Sequence, residues 1–183
     1  HRGNDGTKSF DIKSAPMKNI FLTGPPSSGK TTVIKKIITG LKRPAKGFYT
    51  EEIRVDGKRQ GFKMITLAGK EGLLGHRDIK SDYTVSKYGV SIENIDNIAV
   101  PAIIPDNQSQ IIILDEIGKM ECFSKKFKEA ALQALDSNNT VIGTIAISGT
   151  EFIRKIKERC DMKIIEATES NRHELSDKIL SMT

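Results

Sequence analysis

The eight residues GPPSSGKT, Gly24 to Thr31, fit the pattern G-x-x-x-x-G-K-[S/T] at every fixed position. The chemistry of that pattern is phosphate binding. A loop with few bulky side chains, here Gly24, Pro25, Pro26, Ser27, Ser28 and Gly29, lets backbone N–H groups turn inward around an anion at the positive end of a helix. Lys30 adds a mobile point charge for the outer phosphates, and Thr31 offers a hydroxyl to Mg²⁺. Thr32 completes the candidate nucleotide-binding positions. The plainer alternative is a Gly/Pro turn that merely starts a helix.

A second stretch, IIILDEIGKMECF from Ile111 to Phe123, runs apolar residues straight into two adjacent carboxylates. Strand packing asks for no acids there. A hydrophobic strand ending in Asp supplies the metal-side carboxylate of such a site, so Asp115 is expected to hold Mg²⁺ with Thr31. Strand ends converge on one edge of a parallel sheet, which lets the two meet. Glu116 stands where a carboxylate polarises water for in-line attack on a terminal phosphate, and with Lys30 it forms the candidate catalytic pair. For Glu116 the alternative is a solvated loop acid or helix cap; for Asp115, a plain strand-end residue.

These side chains need elements that bring them to one edge. Lys18–Thr23 reads as a buried strand before the loop. Thr32, Val33, Ile34, Ile37, Ile38 and Leu41 read as a helix after it, ended by Gly40 and Pro44. GFYTEEIRV and KRQGFKMITL, either side of Asp56-Gly57, read as a β-hairpin. Residues 68–91 carry Gly, Ser, Asp and Lys without periodicity and read as a long loop or lid. Ser91–Ile98 reads as a short helix before the breaks at Pro101 and Pro105. Gln110–Leu114, TVIGTIAI and MKIIEAT read as further buried strands. Between them lie a helix with the stripe Phe123, Phe127, Ala130, Ala131, Ala134, Leu135 and another over Glu151–Arg159, and Leu175 with Ile179 marks a closing helix. Alternating strands and helices predict a layered α/β fold, with a mainly parallel central sheet and an inserted β-hairpin, in one domain over residues 17–183. Residues 1–16 are polar and aperiodic and read as an expression remnant or a disordered extension.

Composition narrows the partners. A formal charge of +6 suits anionic small molecules as well as nucleic acid. However, Lys and Arg form no long basic run, and 5% aromatic residues without Trp offer few stacking platforms for single strands. No apolar run approaches the roughly 20 residues of a membrane span. Neither a stable nucleic-acid partner nor a membrane is expected. Cys122 and Cys160, far apart and in no metal-like spacing, read as two reduced, buried thiols of a cytoplasmic protein. His76 and His173 have no companions at metal-like or triad-like spacing.

GPPSSGKTT, GFYTEEIR-x-x-GKRQGF, LDEIGKME-x-FSKKF and the closing IIEATESNR together resemble the small P-loop nucleoside-triphosphatases, the family known in humans as cancer-related nucleoside-triphosphatase. The likeness runs from about Met17 to the C-terminus. It implies a three-layer P-loop NTPase fold related to RecA-like ATPases and nucleotide kinases. The implied activity is Mg²⁺-dependent hydrolysis of ATP, GTP and other nucleoside triphosphates to diphosphate and phosphate, with relaxed base choice. By resemblance and position, Arg172 flanks the nucleotide base with its guanidinium stacked on the ring; the alternative is a surface Arg beside a helix-capping Asn171.

Two departures stand out. Ser27 occupies a position where members usually show Gly. TVSKYGV, Thr84 to Val90, resembles a family stretch reading Arg-Val-Gly-Lys-Tyr, with Thr84 replacing the Arg and Ser86 the Gly. If that Arg touches phosphate in relatives, Arg54, Arg59, Arg77 or Lys87 must stand in. An arginine finger is worth ~10³–10⁵ in rate, so slow turnover is expected. Lys119 reads as a local ion-pair partner of Glu121 or a neighbour, and Ser148, near the end of the third strand, as a turn residue, the alternative being a phosphate sensor. Two other functions share this chemistry. One is a nucleoside or nucleotide kinase, with Glu116 facing an acceptor; the other is a nucleotide-gated switch whose hydrolysis is a timer.

Overall fold

The structure, a computed structural model, describes residues 18–183. The expectation for residues 1–16 lies outside them, as does Met17. Strand β1 (Asn19–Thr23) runs through the GPPSSG turn into helix α1 (Lys30–Gly40), which buries Val33, Ile34 and Ile37. Strands β2 (Ala45–Val55) and β3 (Lys58–Thr66) form the expected hairpin. Asp56 and Gly57 turn it with φ of 50° and 74°, the mirror-image turn that suits the strands' right-handed twist.

The 68–91 segment departs from its reading as a loop. It contains β4 (Glu71–His76), which pairs antiparallel with β3, and the small edge strands β5 (Thr84–Val85) and β6 (Tyr88–Val90). These strands are short, and β4 and β6 contain glycine, so no alternation betrays them, and pairing outward from β3 stabilises what local propensity does not. The next helix also differs. Ser91 caps α2 (Ile92–Asn94), a π-helical turn follows over Ile95–Ala99, and α3 (Val100–Ile103) continues through Pro101. Proline removes the N–H that would reach back to Asn97; the Asn97 carbonyl instead accepts a bond from Lys70 Nζ at 3.4 Å.

Strand β7 (Ile111–Ile117) carries Asp115 and Glu116. Ser124 caps α4 (Lys125–Asp136), whose inner face is Phe127, Ala130, Ala131, Ala134 and Leu135. Phe123 is not part of that stripe: it lies on the preceding 3₁₀ turn, 38% exposed, against the Tyr83 ring. Strand β8 (Val141–Ile145), helix α5 (Glu151–Lys157), strand β9 (Met162–Glu166) and helix α6 (Arg172–Leu180) complete the chain.

Among the described residues the strands make one sheet in the order β5-β6-β4-β3-β2-β7-β8-β1-β9. From β2 to β9 neighbours are parallel; from β2 out to β5 they are antiparallel. The sheet is therefore mixed, and the hairpin is the start of its antiparallel half. Ile111 to Leu114 are fully buried, as expected where layers cover both faces. On one face α1 and α6 pack Val33, Ile34, Ile37, Leu175 and Ile179 against Ile20 and Leu22. The other face buries Phe48, Ile95, Ile103, Phe127 and Ile153. The layers make the α/β P-loop architecture. No described helix is long and apolar enough to cross a membrane. Both cysteines are free, but only Cys122 is buried; Cys160 is exposed, contrary to its reading.

Candidate active site

The strand order puts β7, β8 and β1 side by side, so the turn after β1 and the carboxylates ending β7 share one sheet edge. A cavity of about 970 Å³ opens there. Gly24, Pro26 to Thr32, Asp115, Glu116 and Arg172 all line it. Pro25 does not, although its carbonyl accepts a bond from Lys30 Nζ at 3.2 Å; the Gly24 carbonyl accepts another at 2.6 Å. Ser27 adopts φ 64°, in the left-handed region. That conformation is the physical reason a Gly suits this position.

Thr31 and Asp115 meet: Thr31 Oγ1 donates to Asp115 Oδ2 at 2.9 Å. Thr144, on β8, donates to Asp115 Oδ1 at 2.6 Å, and the Thr50 N–H of β2 reaches Oδ2 at 3.4 Å. Asp115 is only 2% exposed, and burial raises its carboxyl above the ordinary value against these hydrogen bonds. Glu116, half-buried beside it, is pushed up to about 7 by burial and then by the charge of Asp115, with Lys30 opposing. Glu116 is thus neither a solvated acid nor a helix cap.

Glu121 is a third carboxyl of the site. It is buried, 2% exposed, lines the same cavity, and is raised well above the ordinary range by burial and the charge of Glu116. Gly118 measures how closely the two approach. A Cβ there would lie 2.6 Å from Glu116 Oε1 and 2.9 Å from Glu121 Oε2. Lys119 does not pair with Glu121; its side chain is exposed on the cavity wall while Glu121 points into the protein. Sequence reasoning missed Thr144 and the burial of Glu121. The available signals were a lone hydroxyl inside the apolar run VIGTI and a second acid within GKME.

Arg172 lies against the loop, its Cδ 3.3 Å from where a Cβ on Gly29 would be. Asn171 does not cap α6 with its side chain; it accepts from the Thr168 N–H and donates to the Glu166 carbonyl, both at 2.8 Å. Ser148 lines the cavity and Thr84 does not. Of the four cations considered in its place, Arg59 alone lines the cavity. Arg54 pairs with Glu52 at 2.7 Å, Arg77 bonds Gln60 at 3.2 Å, and Lys87 lies over the Tyr88 ring at 5.6 Å.

Comparison with known proteins gives consistent likenesses. The family model described as NTPase matches residues 19–180. A nucleoside-triphosphatase THEP1 from Thermotoga sp. (strain RQ2) is 48% identical over 164 residues, covering 89% of this chain and 94% of the relative. The crystal structure of THEP1 from Aquifex aeolicus superposes with a TM-score of 0.83 at 37% identity, over 90% of this chain and 98% of that one. The solution structure of a human cancer-related nucleoside triphosphatase gives a TM-score of 0.77 at 34% identity, over 90% and 96%.

Proposed function

The chain belongs to the NTPase family of nucleoside-triphosphatase enzymes, and we propose that it hydrolyses ATP, GTP and other nucleoside triphosphates to diphosphate and phosphate, slowly, with Mg²⁺ and little choice of base. The observation that carries this reading is the 2.9 Å contact between Thr31 and Asp115, with Glu116 beside it at the mouth of the phosphate loop. The Gly24–Thr32 loop and the N-terminus of α1 bind the polyphosphate, and Lys30 neutralises its outer oxygens. A hydroxyl and a carboxylate are the hard oxygen donors Mg²⁺ takes, so Thr31 and Asp115 would hold the ion, which would supply positive charge against the phosphates. Thr144 and the Thr50 N–H keep the Asp115 carboxylate oriented.

Glu116 takes a proton from water as the water oxygen bonds to the terminal phosphorus. The bond from phosphorus to the bridging oxygen breaks, and the nucleoside diphosphate leaves with that electron pair. Burial and the charge of Asp115 raise the Glu116 carboxyl to about 7, a value that suits a group taking a proton near neutral pH. The slow rate rests on Thr84 at the position of the family Arg. Arg172 against the loop supports stacking on the base, an interaction any base satisfies. Residues 17–183 act as one domain in this reading, and the free thiols suit a cytoplasmic setting.

The test is Glu116→Gln, with binding and single-turnover phosphate release measured across a panel of Mg²⁺–nucleoside triphosphates. The variant keeps binding and loses most release; unchanged release removes Glu116 from the role. One feature favours a second reading. The cavity continues past Glu116 to an apolar wall of Phe62, Leu74, Tyr88 and Met120, room for a phosphoryl acceptor. Label from the terminal phosphate on an added nucleoside or monophosphate, rather than in free phosphate, selects the kinase.

A further inference from the structure

We propose that Arg59 is the catalytic cation of this site, meeting the terminal phosphoryl group from the side opposite the phosphate loop. The inference rests on the hydrolase reading and supplies what Thr84 does not. Four basic side chains line the cavity: Lys30, Arg59, Lys119 and Arg172. Lys30 bonds to the loop carbonyls and Arg172 lies against Gly29, so both belong to the loop side. That leaves Arg59, on the β2–β3 side, and Lys119, whose Cγ lies 3.7 Å from where a Cβ on Gly149 would be. Glu51 and Glu52 of β2 line the cavity beside Arg59, and negative charge there repels a polyphosphate unless a cation intervenes.

Arg59 is held for such a role. Its Nε donates to Tyr88 Oη at 3.0 Å and its Nη1 to Glu52 Oε1 at 3.2 Å. The guanidinium also lies over the Phe62 ring at 5.1 Å and the Tyr88 ring at 5.7 Å. Nη2 has no partner among the described residues, which leaves one edge of the fork to donate. Position along β2 agrees. Thr50 touches Asp115, and Glu52, which grips Arg59, lies two residues on and on the same strand face, about 7 Å further. The segment that lacks the family Arg at Thr84 thus contributes Tyr88, which orients an Arg from another strand.

Lys119 is the competitor. It is exposed and has no hydrogen bond or ion pair among the described residues, so its ordering is left to the moment of reaction. A guanidinium already fixed by two bonds and two rings is preorganised, and preorganised charge is what stabilises a transition state. Sharing its charge with Glu52 keeps Arg59 below the strength of an unpaired finger.

The step it serves is the transfer already described: charge builds on the equatorial oxygens and on the departing bridging oxygen, and Arg59 Nη2 donates to one of them. Arg59→Ala is therefore expected to lower kcat ~10²-fold or more while the dissociation constant of the nucleoside triphosphate changes little. Added guanidinium ion restores part of that rate, and Arg59→Lys falls between. ADP with aluminium fluoride, a stand-in for the phosphoryl group in flight, binds correspondingly weaker to Arg59→Ala, a readout independent of turnover. Arg77→Ala, off the cavity, serves as control. A kcat within threefold of wild type in Arg59→Ala overturns the proposal. So does a rate loss that comes with a lowered melting temperature, no guanidinium rescue and unchanged aluminium fluoride affinity, which marks Arg59 as structural. Loss of rate in Lys119→Ala with Arg59→Ala intact assigns the cation to Lys119. Wild-type phosphate release and its loss in Glu116→Gln test the hydrolase reading separately.

Discussion

On the antiparallel half of the sheet, Glu52 lies between Arg54 at 2.7 Å and Arg59 at 3.2 Å, and Lys63 meets Glu71 at 3.2 Å. On the parallel half, Asp115, Glu116 and Glu121 crowd one strand end, and among the described residues no basic side chain bonds to any of them. Their surroundings move the carboxyls in opposite directions. Burial pulls Glu52 upward, but its bonds from Arg54 and Arg59 outweigh that and hold it below the ordinary value. Burial and mutual repulsion hold Glu116 and Glu121 above it. The paired half is a wall that supports itself. The unpaired half is poised for positive charge that arrives with substrate, and it gives up stability for that readiness.

The halves differ in rigidity too, and two glycines measure it. A Cβ on Gly47 of β2 would lie 1.9 Å from the Ile113 carbonyl oxygen of β7; one on Gly89 of β6 would lie 1.9 Å from the Ile79 oxygen. The clash is equal, the freedom to yield is not. Gly47 sits at the seam of the halves, in a strand paired on both sides, with the Leu67 N–H on its carbonyl at 3.0 Å. Gly89 belongs to a strand joined to each neighbour by two residue pairs. Gly47→Ala is expected to cost ~3 kcal/mol or more, against about 1 kcal/mol for Gly89→Ala. In melting temperature that is a fall of ~6–12 °C against about 2–4 °C. Equal losses in thermal melts would break the contrast.

The same division explains what could be read from the sequence. The parallel half announces itself, because β1, β7 and β8 are continuous apolar runs and the phosphate loop has fixed spacing. Spacing and residue type marked Lys30, Thr31, Asp115 and Glu116 as candidates for one site, and the structure brings them to one cavity. Their supports carried no such mark. Thr144 touches Asp115 because β8 lies beside β7, and only sheet order decides that. Glu121 is brought back under Glu116 by the bend at Gly118, which no periodicity encodes. The antiparallel half was legible only as far as its first hairpin, β2 and β3, since the short strands beyond it owe their form to pairing rather than to pattern.

The charge contrast has its own test, made with divalent cations chelated. Below about pH 4.5 Glu121 is protonated folded or unfolded and contributes no pH dependence. Above that, the unfolded chain releases the proton while the folded chain keeps it, so stability falls as pH rises. Glu121→Gln removes that loss. Its melting temperature is expected to match wild type near pH 4 and to exceed it at pH 8. Glu52→Gln behaves oppositely. A carboxyl held low stabilises above its unfolded value and loses that contribution on acidification, so this variant is weaker at neutral pH and the gap closes in acid. Parallel pH curves for both variants would remove the distinction between the halves.

The smallest effect is expected in the phosphate loop of the parallel half. Ser27 holds φ 64°, where an L side chain crowds the next carbonyl at a cost of ~1–2 kcal/mol. Ser27→Gly relieves that crowding, while the freer unfolded glycine returns about 0.5–1 kcal/mol of it. The net gain spans ~0–1.5 kcal/mol, a rise of about 1.5–3 °C in melting temperature at its midpoint. Nucleotide affinity should stay within twofold, because the loop binds through backbone N–H groups whose direction the substitution does not alter. A weaker nucleotide dissociation constant with a raised melting temperature would mean that the Ser27 side chain itself holds the loop in its binding form. Strain at that position would then be part of how this half of the sheet is made ready for phosphate, as the unpaired carboxylates are.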